Sequence, residues 1–169
     1  TSLLYSMKVM RENLLKRITE DEKLAAETAR IKLALDVCDT NVMVADAEYN
    51  IIYMNDAVKT MMKVAESDLK KDLPNFNAQN LLNSNIDVFH KNPSHQRGML
   101  ANLRDTHRTN IKVGGRTFGL IATPIFDDNH NRLGTAVEWD DKTERLAQEI
   151  ADKAVADTNA QIKMALDVC

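Results

Sequence analysis

The 169-residue chain lacks the features that mark several large functional classes. No apolar run approaches the length of a membrane-spanning helix, and the first residues do not have the layout of a signal peptide. The net charge of −3 and the pI of about 5.8 argue against nucleic acid as a partner. We therefore expect a cytoplasmic fragment with no nucleic-acid partner and no membrane contact of its own, which leaves room for a membrane segment elsewhere in a longer parent protein.

Cysteines and catalytic groupings are also scarce. Cys38 and Cys169 do not form a metal-type cluster, so a reducing compartment is expected, with both as small buried helix residues. No phosphate-binding glycine loop is present, and no nucleophile–base set is evident. Asp140 and Asp141 are adjacent on a predicted strand, so they point to opposite faces and make no catalytic pair. The chain is therefore not expected to be an enzyme.

Glycine and proline are absent from residues 1–38 and 143–169, and both stretches are predicted to be helices. In the first, apolar residues recur at alternating steps of three and four, although Arg17 and Asp21 interrupt the stripe. A helix with so narrow a seam needs a partner, so we expect a parallel two-stranded coiled coil between two copies. The alternative is a single helix packed on its own domain. The seam comprises Met7, Met10, Leu14, Leu24, Thr28, Ile31, Leu35 and Cys38.

One eight-residue segment occurs almost twice. Residues 31–38 (IKLALDVC) return as residues 162–169 (IKMALDVC) at an offset of 131 residues, and only Leu33 and Met164 differ. The repeat indicates a tandem array in which each unit is a helical connector followed by a globular domain. We therefore expect a piece of a longer multidomain protein that passes a state from one domain to the next, with a second domain of the same type after Cys169.

Between the two helices, the chain first predicts a hairpin and then a helix. Residues 42–46 and 51–54 read as short apolar strands, and residues 47–50 form the turn that joins them. Asn55 is expected to be the N-cap of the helix that follows. The apolar positions of that helix are Ala57, Val58, Met61 and Met62.

The middle of the chain predicts short helical pieces. Residues 66–84 are polar and interrupted by Pro74, and residues 86–90 form a brief apolar segment. Pro93 suits the first turn of a helix that runs to about Leu103.

Three strands follow, at about residues 107–113, 116–126 and 132–140, separated by turns at residues 114–115 and 127–131. Two strands, several short helices and then three strands predict an α+β domain. Its five-stranded antiparallel sheet would be covered by helices on one face.

This order of elements, with a helical connector at each end, resembles the PAS domain. Residues 42–55 resemble the opening PAS hairpin, and residues 141–143 (DKT) resemble the Asp-x-Thr junction between a PAS sheet and its output helix. Residues 85–97 (NIDVFHKNPSHQR) closely resemble the central segment of heme-binding PAS domains in soluble aerotaxis receptors, a subgroup of methyl-accepting chemotaxis proteins. Residues 134–139 (GTAVEW) are similar to the last strand of that subgroup, and the likeness covers about residues 38–145.

The resemblance implies a division into three parts. Residues 1–38 would be an N-terminal signalling helix, and residues 39–142 the PAS sensor domain. Residues 143–169 would be a C-terminal connector helix that leads to the next repeat. The fold expected is thus a PAS fold flanked by coiled-coil-type helices.

By the same resemblance, His90 is the proximal iron ligand of a b-type heme (heme b). An imidazole nitrogen is a standard axial ligand of heme iron. Val88 and Phe89 are apolar neighbours suited to walling a porphyrin. His95, on the helix after Pro93, is the alternative ligand or a neighbour of the heme. Solvated positions are expected for the other histidines, His107 and His130.

The resemblance also implies that Trp139 is the distal residue. An indole N–H only donates, and iron-bound oxygen carries partial negative charge, so a donor aimed at it favours oxygen over carbon monoxide. Strand alternation places Val137 and Trp139 on one face; the alternative is that Trp139 merely fills the core. Leu120 matches a heme-contacting leucine of the subgroup and would pack over the gas, or be plain sheet core.

The sequence therefore predicts a sensor of oxygen, or another diatomic gas, with O2 bound opposite His90. A turn of Trp139 would alter the last strand, and Asp141 and Thr143 would pass the change into the following helix. The expected partners are a second copy, through the flanking helices, and adjacent PAS or signalling domains of the parent receptor. The alternatives are a heme-free PAS module for dimerisation or protein interaction, and a flavin redox sensor; the central helices lack the cysteine of photoreactive flavin domains.

Overall fold

The structure is a computed structural model that describes residues 2–90 and 92–167, and it divides after Cys38 into two compact units. The first unit contains helix α1 (Ser2–Asp36), which the absence of glycine and proline permits to run unbroken. Every residue from 3 to 34 is exposed, so the apolar seam of α1 is uncovered. Among the described residues, no helix combines the length and apolar character needed to cross a bilayer.

The expectation that Cys38 is buried is wrong. Cys38 is exposed, because it lies two residues beyond the end of α1. Its Sγ donates to the carbonyl of Ala34 at 3.2 Å. Cys169, for which the same expectation was made, lies outside the described residues.

The second unit is an α+β domain with one five-stranded antiparallel sheet, as predicted. The strand order is β2-β1-β5-β4-β3, so β5 lies in the centre and β3 at an edge. The elements are β1 (Asn41–Asp46), β2 (Ile51–Met54), α2 (Asp56–Asp72), 3₁₀ helices at Ala78–Asn80 and Ile86–Phe89, α3 (Pro93–Ala101), β3 (His107–Val113), β4 (Arg116–Phe126), β5 (Arg132–Asp141) and α4 (Thr143–Asp167).

Asn55 starts α2 as the sequence predicts. Its side-chain oxygen accepts from the N–H of Val58 at 3.1 Å and from the N–H of Val42 at 3.0 Å. Its amide group donates to the carbonyl of Thr40 at 2.7 Å. This fully buried side chain therefore joins the helix start to β1.

Helix α2 is longer than predicted, because short pieces were expected from residue 66. It continues to Asp72, since Ala65 and Leu69 extend the buried stripe begun by Val58 and Met62. The polar residues of this stretch occupy the outer face. Pro74 follows the C-cap, where a proline cannot continue a helix.

Other boundaries differ from prediction by one or two residues. Helix α3 ends at Ala101 rather than near Leu103, because the N–H of Asn102 already closes the last turn onto the carbonyls of Leu100 and Met99. Strand β5 continues to Asp141, paired with Phe118 of β4. Helix α1 ends at Asp36, two residues before the predicted limit.

The turn between β3 and β4 depends on glycine. Gly114 has a φ of +61°, and a Cβ added there would lie 1.9 Å from the carbonyl oxygen of Asp68. The backbone of the hairpin therefore contacts α2 directly. The core between helices and sheet comprises Met43, Ile51, Met54, Val58, Met62, Ala65, Leu69, Leu73, Phe76, Leu81, Phe89, Phe118 and Trp139.

Candidate functional site

A cavity of about 550 Å³ lies against the inner face of the sheet. Its volume is within the range of small-molecule and cofactor sites, and most of its wall is apolar. The predicted residues His90, Phe89, Leu120 and Trp139 all contribute to that wall. Val88 does not line the cavity and is 37% exposed. The side chain of His95 lies outside the described part of the structure.

His90 follows directly after the 3₁₀ helix Ile86–Phe89 and is half-buried. Its Nδ1 lies 3.0 Å from the carbonyl oxygen of Ile86. A carbonyl only accepts, so Nδ1 carries the proton in this bond, and in the neutral imidazole Nε2 then keeps its lone pair. Burial lowers the pKa of His90, although the bond to Ile86 and the charge of Asp87 oppose the shift. The imidazole is therefore held neutral and oriented, as a metal ligand requires.

The segment that carries His90 is tied to α3 by an ion pair. Arg97 donates from Nε to Oδ1 of Asp87 at 3.0 Å and from Nη2 to Oδ2 at 2.5 Å. Nη2 also donates to Oδ1 of Asn85 at 3.2 Å, and the Asn85 oxygen accepts from the N–H of Asp87. A bidentate contact of this kind fixes the relative orientation of the two side chains as well as the distance between them. Arg97 lies within the motif of residues 85–97, but the sequence predicted no ion-pair partner for its side chain.

Trp139 is 7% exposed, and its ring packs against Phe89 and Phe118 with centroid distances of 5.2 and 5.8 Å. Leu120 is its direct partner on β4, so both side chains face the cavity side of the sheet. The Nε1 atom of Trp139 is buried and has no hydrogen-bond acceptor among the described residues. An unmet buried donor costs about 1–3 kcal/mol, so a ligand that offers an acceptor here is favoured.

Gln96 of α3 also lines the cavity, and its Oε1 is buried without a donor among the described residues. The amide can present either its oxygen or its NH2 group, because the two ends have the same shape. Among the described residues of the wall, Trp139 and Gln96 therefore each have an unmet polar atom.

His107 was expected to be solvated, and this expectation is wrong. The residue is half-buried and lines the cavity. The reason is the alternation of β3, in which His107, Thr109, Ile111 and Val113 face inward while Arg108 faces out. His130 is exposed in its turn, as expected.

Hydrogen bonds join the end of β5 to the start of α4. Oδ1 of Asp141 accepts from the N–H of Thr143 at 3.0 Å and from its hydroxyl. Oγ1 of Thr143 in turn accepts from the N–H of Thr117 on β4 at 3.0 Å, and the N–H of Lys142 donates to the carbonyl of Thr117 at 2.8 Å. The first turn of α4 is thus attached to two strands.

Arg116 extends this junction to α2, a contact that the sequence did not predict. It donates from Nη1 to Asp141 and from Nε to Asp68, both at 2.7 Å. Burial alone would raise the pKa of Asp141, but the hydrogen bonds from Thr143 and Arg116 outweigh it and hold the pKa below its ordinary value. Asp141 is therefore a carboxylate at neutral pH, with both oxygens engaged.

Comparisons with known proteins agree with this architecture. Residues 29–93 match the PAS domain family. Over 129 residues the chain is 54% identical to the methyl-accepting chemotaxis protein McpB of Pseudomonas aeruginosa; the match covers 75% of this chain and 19% of that protein. The chain thus spans about a fifth of the length of this curated relative.

Two solved structures extend the comparison. The Aer2 receptor from Vibrio cholerae, described as a dual PAS-heme oxygen sensor, is 37% identical, with a TM-score of 0.55 and coverage of 60% of this chain and 93% of that one. A PAS domain from Colwellia psychrerythraea shares the fold at 14% identity, with a TM-score of 0.50 and coverage of 72% of this chain and 98% of that one.

These findings confirm the predicted α+β architecture as a PAS fold with flanking helices. They also confirm that the chain is not an enzyme, because the PAS domain that it matches is a sensory, non-catalytic module. The chain belongs to the PAS domain family.

Proposed function

We propose that this chain is a gas-sensing module of a chemotaxis receptor, with a b-type heme in the cavity, His90 as its axial ligand and oxygen as the sensed gas. One observation carries the proposal. A single cavity is lined both by His90, whose Nδ1 is engaged with Ile86, and by Trp139, whose buried Nε1 lacks an acceptor. A neutral imidazole and a donor-only indole are the groups that such a sensor needs.

The residues of the wall fit this cofactor. Heme, when bound, would supply an iron centre that can bind a protein ligand and a diatomic gas. His90 would bind through Nε2, and Phe89 and Leu120 would contact the apolar macrocycle. Trp139 would donate its N–H to the gas. Val88, which does not line the cavity, is not part of the proposed contact set.

The signal would leave the cavity along β5. Trp139 precedes Asp141 by two residues on the same strand, and Asp141 is bonded to Thr143 at the start of α4. Rotation of the indole would favour one of two arrangements of the end of β5. This change would in turn alter the geometry of α4. Coupling energies of this kind are typically about 1–3 kcal/mol.

The parent protein would be a receptor in which two copies associate through the flanking helices. The exposed seam of α1 and the relationship to McpB support this arrangement. Under this proposal, residues 1–38 are a signalling helix, residues 39–142 the sensor and residues 143–169 the connector to an adjacent PAS or signalling domain. The cytoplasmic location stays a prediction.

A heme-free interaction module is the second candidate, and one observation favours it. Trp139 already packs on Phe89 and Phe118 in a continuous aromatic cluster, as it would in an ordinary core. The cavity beside this cluster favours the heme proposal, because a closely packed core leaves little space of that size.

The test is an absorption spectrum of protein purified from heme-replete cells, recorded before and after dithionite and then oxygen. We expect a Soret band that responds to both additions, its loss in His90→Ala, and its retention in His130→Asn, a control at an exposed histidine. Colourless protein after incubation with excess hemin would overturn the heme assignment in favour of the interaction module. A yellow protein with a flavin spectrum would overturn it in favour of a flavin sensor.

A further inference from the structure

The segment that carries His90 is attached at its beginning to the hairpin between β1 and β2. The N–H of Ile86 donates to the carbonyl of Tyr49 at 2.9 Å. The side-chain amide of Asn85 donates to the carbonyl of Glu48 at 3.0 Å. Ile86 is also the residue whose carbonyl oxygen lies 3.0 Å from Nδ1 of His90. The backbone that orients the imidazole is therefore itself bonded to the hairpin.

Arg97 of α3 contacts the same segment from its other side. Its guanidinium group makes the bidentate contact with Asp87, ten residues earlier in the chain, and also donates to Asn85. Its Cζ lies 5.8 Å from the ring centroid of Tyr49, within the range of a cation–π contact. The N–H of His90 donates to the carbonyl of Asp87 at 3.0 Å. One guanidinium group therefore joins α3, the hairpin and the residue to which the backbone of His90 is bonded.

The two pieces that Arg97 joins both contribute to the wall of the cavity. Phe89 and His90 line it from the 3₁₀ segment, and Gln96 and Leu100 line it from α3. Arg97 itself does not line the cavity, and its side chain is 46% exposed. Its effect on a bound group can therefore be exerted only through the residues that it holds in place.

We propose that Arg97 is a positioning residue for the iron ligand, and that its bidentate contact with Asp87 holds His90 in the orientation that the metal requires. This inference rests on the proposed function and adds the residue that sets the ligand geometry. The guanidinium fork engages both oxygens of the carboxylate at once, which a single ammonium group does not do. Without the fork, the segment keeps only its attachment to the hairpin, so the imidazole samples more orientations.

The first measurement follows amide hydrogen exchange by NMR in the heme-free protein. Arg97→Met removes the guanidinium group, and Arg97→Lys keeps the charge without the fork. We expect the N–H of His90 to exchange about three- to tenfold faster in both variants than in wild type, because the segment opens more readily. The N–H of His130 is the matched control, since it too donates to the carbonyl of an aspartate three residues earlier, Asp127, at 3.0 Å. Its exchange should not change.

The second measurement records the iron–histidine stretching band of the heme-loaded ferrous protein by resonance Raman spectroscopy, in the absence of gas. We expect the band to broaden and to move to lower frequency in Arg97→Met and in Arg97→Lys, because a less firmly held imidazole makes a weaker and more variable bond. Arg145→Met is the control variant. It removes an arginine from another exposed ion pair, with Asp140, and should leave the exchange of His90 and the band at their wild-type values.

The outcomes separate this inference from the proposed function. If wild type binds hemin but Arg97→Met changes neither the exchange of His90 nor the band, the positioning role is wrong and the heme proposal stands. Faster exchange with an unchanged band would also overturn the role, because Arg97 would then stabilise the segment without affecting the ligand bond. Wild-type values in Arg97→Lys would overturn the role of the bidentate contact. If wild type takes up no hemin, both proposals fail.

Discussion

Arg116 donates from Nη1 to Oδ2 of Asp141 across 2.7 Å, and the two side chains are only 21% and 20% exposed. The other oxygen of Asp141 accepts from Thr143, so one carboxylate joins β4 to the start of α4. Through its Nε, Arg116 adds Asp68 of α2 to the same junction. The junction at the start of α4 thus contains residues from four elements, which are α2, β4, β5 and α4 itself.

Replacing Asp141 should weaken this junction. Asp141→Asn removes the charge that Arg116 and Thr143 stabilise, and we expect a loss of about 1–3 kcal/mol in the free energy of unfolding. Urea unfolding measures the change. Asp140→Asn is the control, since Asp140 pairs with Arg145 in an exposed contact and should cost no more than about 0.5 kcal/mol. Equal losses in the two variants would show that the junction adds no stability.

The stabilising effect of Asp141 should depend on pH in a defined direction. The pKa of Asp141 is lowered on folding, so its carboxylate stabilises the folded state above the ordinary value near 3.8. This contribution is lost as the pH falls through the lower, folded value. The stability gap between wild type and Asp141→Asn should be constant above about pH 5 and shrink below about pH 4. A gap that persists at the acid limit of folding would contradict the assignment.

The two turn glycines should respond differently to alanine. Both have positive φ, +61° at Gly114 and +86° at Gly115, but only Gly114 has a neighbour where the Cβ would be placed. We expect Gly115→Ala to cost about 1–2 kcal/mol from backbone strain alone. Gly114→Ala should cost about 2–5 kcal/mol, because strain and the collision with Asp68 add. Thermal unfolding of the two variants tests the difference, and equal costs would contradict it.

The seam of α1 should carry association between copies. Ile31 lies on the seam and Leu33 lies off it, but their exposed fractions are nearly equal, at 63% and 64%. Ile31→Glu should raise the dimer dissociation constant by at least about tenfold, since it would bury an unpaired charge at the helix pair. Leu33→Glu should leave it unchanged. Sedimentation equilibrium measures both constants, and equal sensitivity at the two positions would exclude a coiled coil in this register.

Trp139→Phe tests the donor role of the indole, on the basis of the proposed function. Phenylalanine keeps an aromatic ring against Phe89 and Phe118 but has no N–H. Oxygen should dissociate about 10–100 times faster, the equivalent of one lost hydrogen bond to a partly charged acceptor. Carbon monoxide, which carries less charge when bound, is the control and should change less. If oxygen is held as stably as by wild type, the donor role is wrong.

Local signals explain why much of the fold was predictable. The glycine pair at residues 114–115 marks a turn, and the bounds of β3 and β4 match the prediction. The predicted end of α2 is too early, because the polar residues after position 66 resemble a helix break, whereas Ala65 and Leu69 continue the buried face. Composition alone does not show which face a polar residue occupies.

The site was predictable only in part. The resemblance pointed to His90, Leu120 and Trp139, and the cavity brings them together. Arg116 was missed because its partners lie 48 and 25 residues away, and no local pattern encodes such pairing. His107 was missed because its inward position follows from the packing of β3 over the cavity.

Strand β5 is hydrogen-bonded on both sides, to β1 from Gly134 to Trp139 and to β4 as far as Asp141. Sliding it by a single residue would break both ladders at once and turn its inward side chains outward. Under the proposed function, a change at Trp139 would therefore not travel as a slide of β5 along its own axis. It would travel as a change in the twist of the sheet, passed at Asp141 to the helix that begins two residues later.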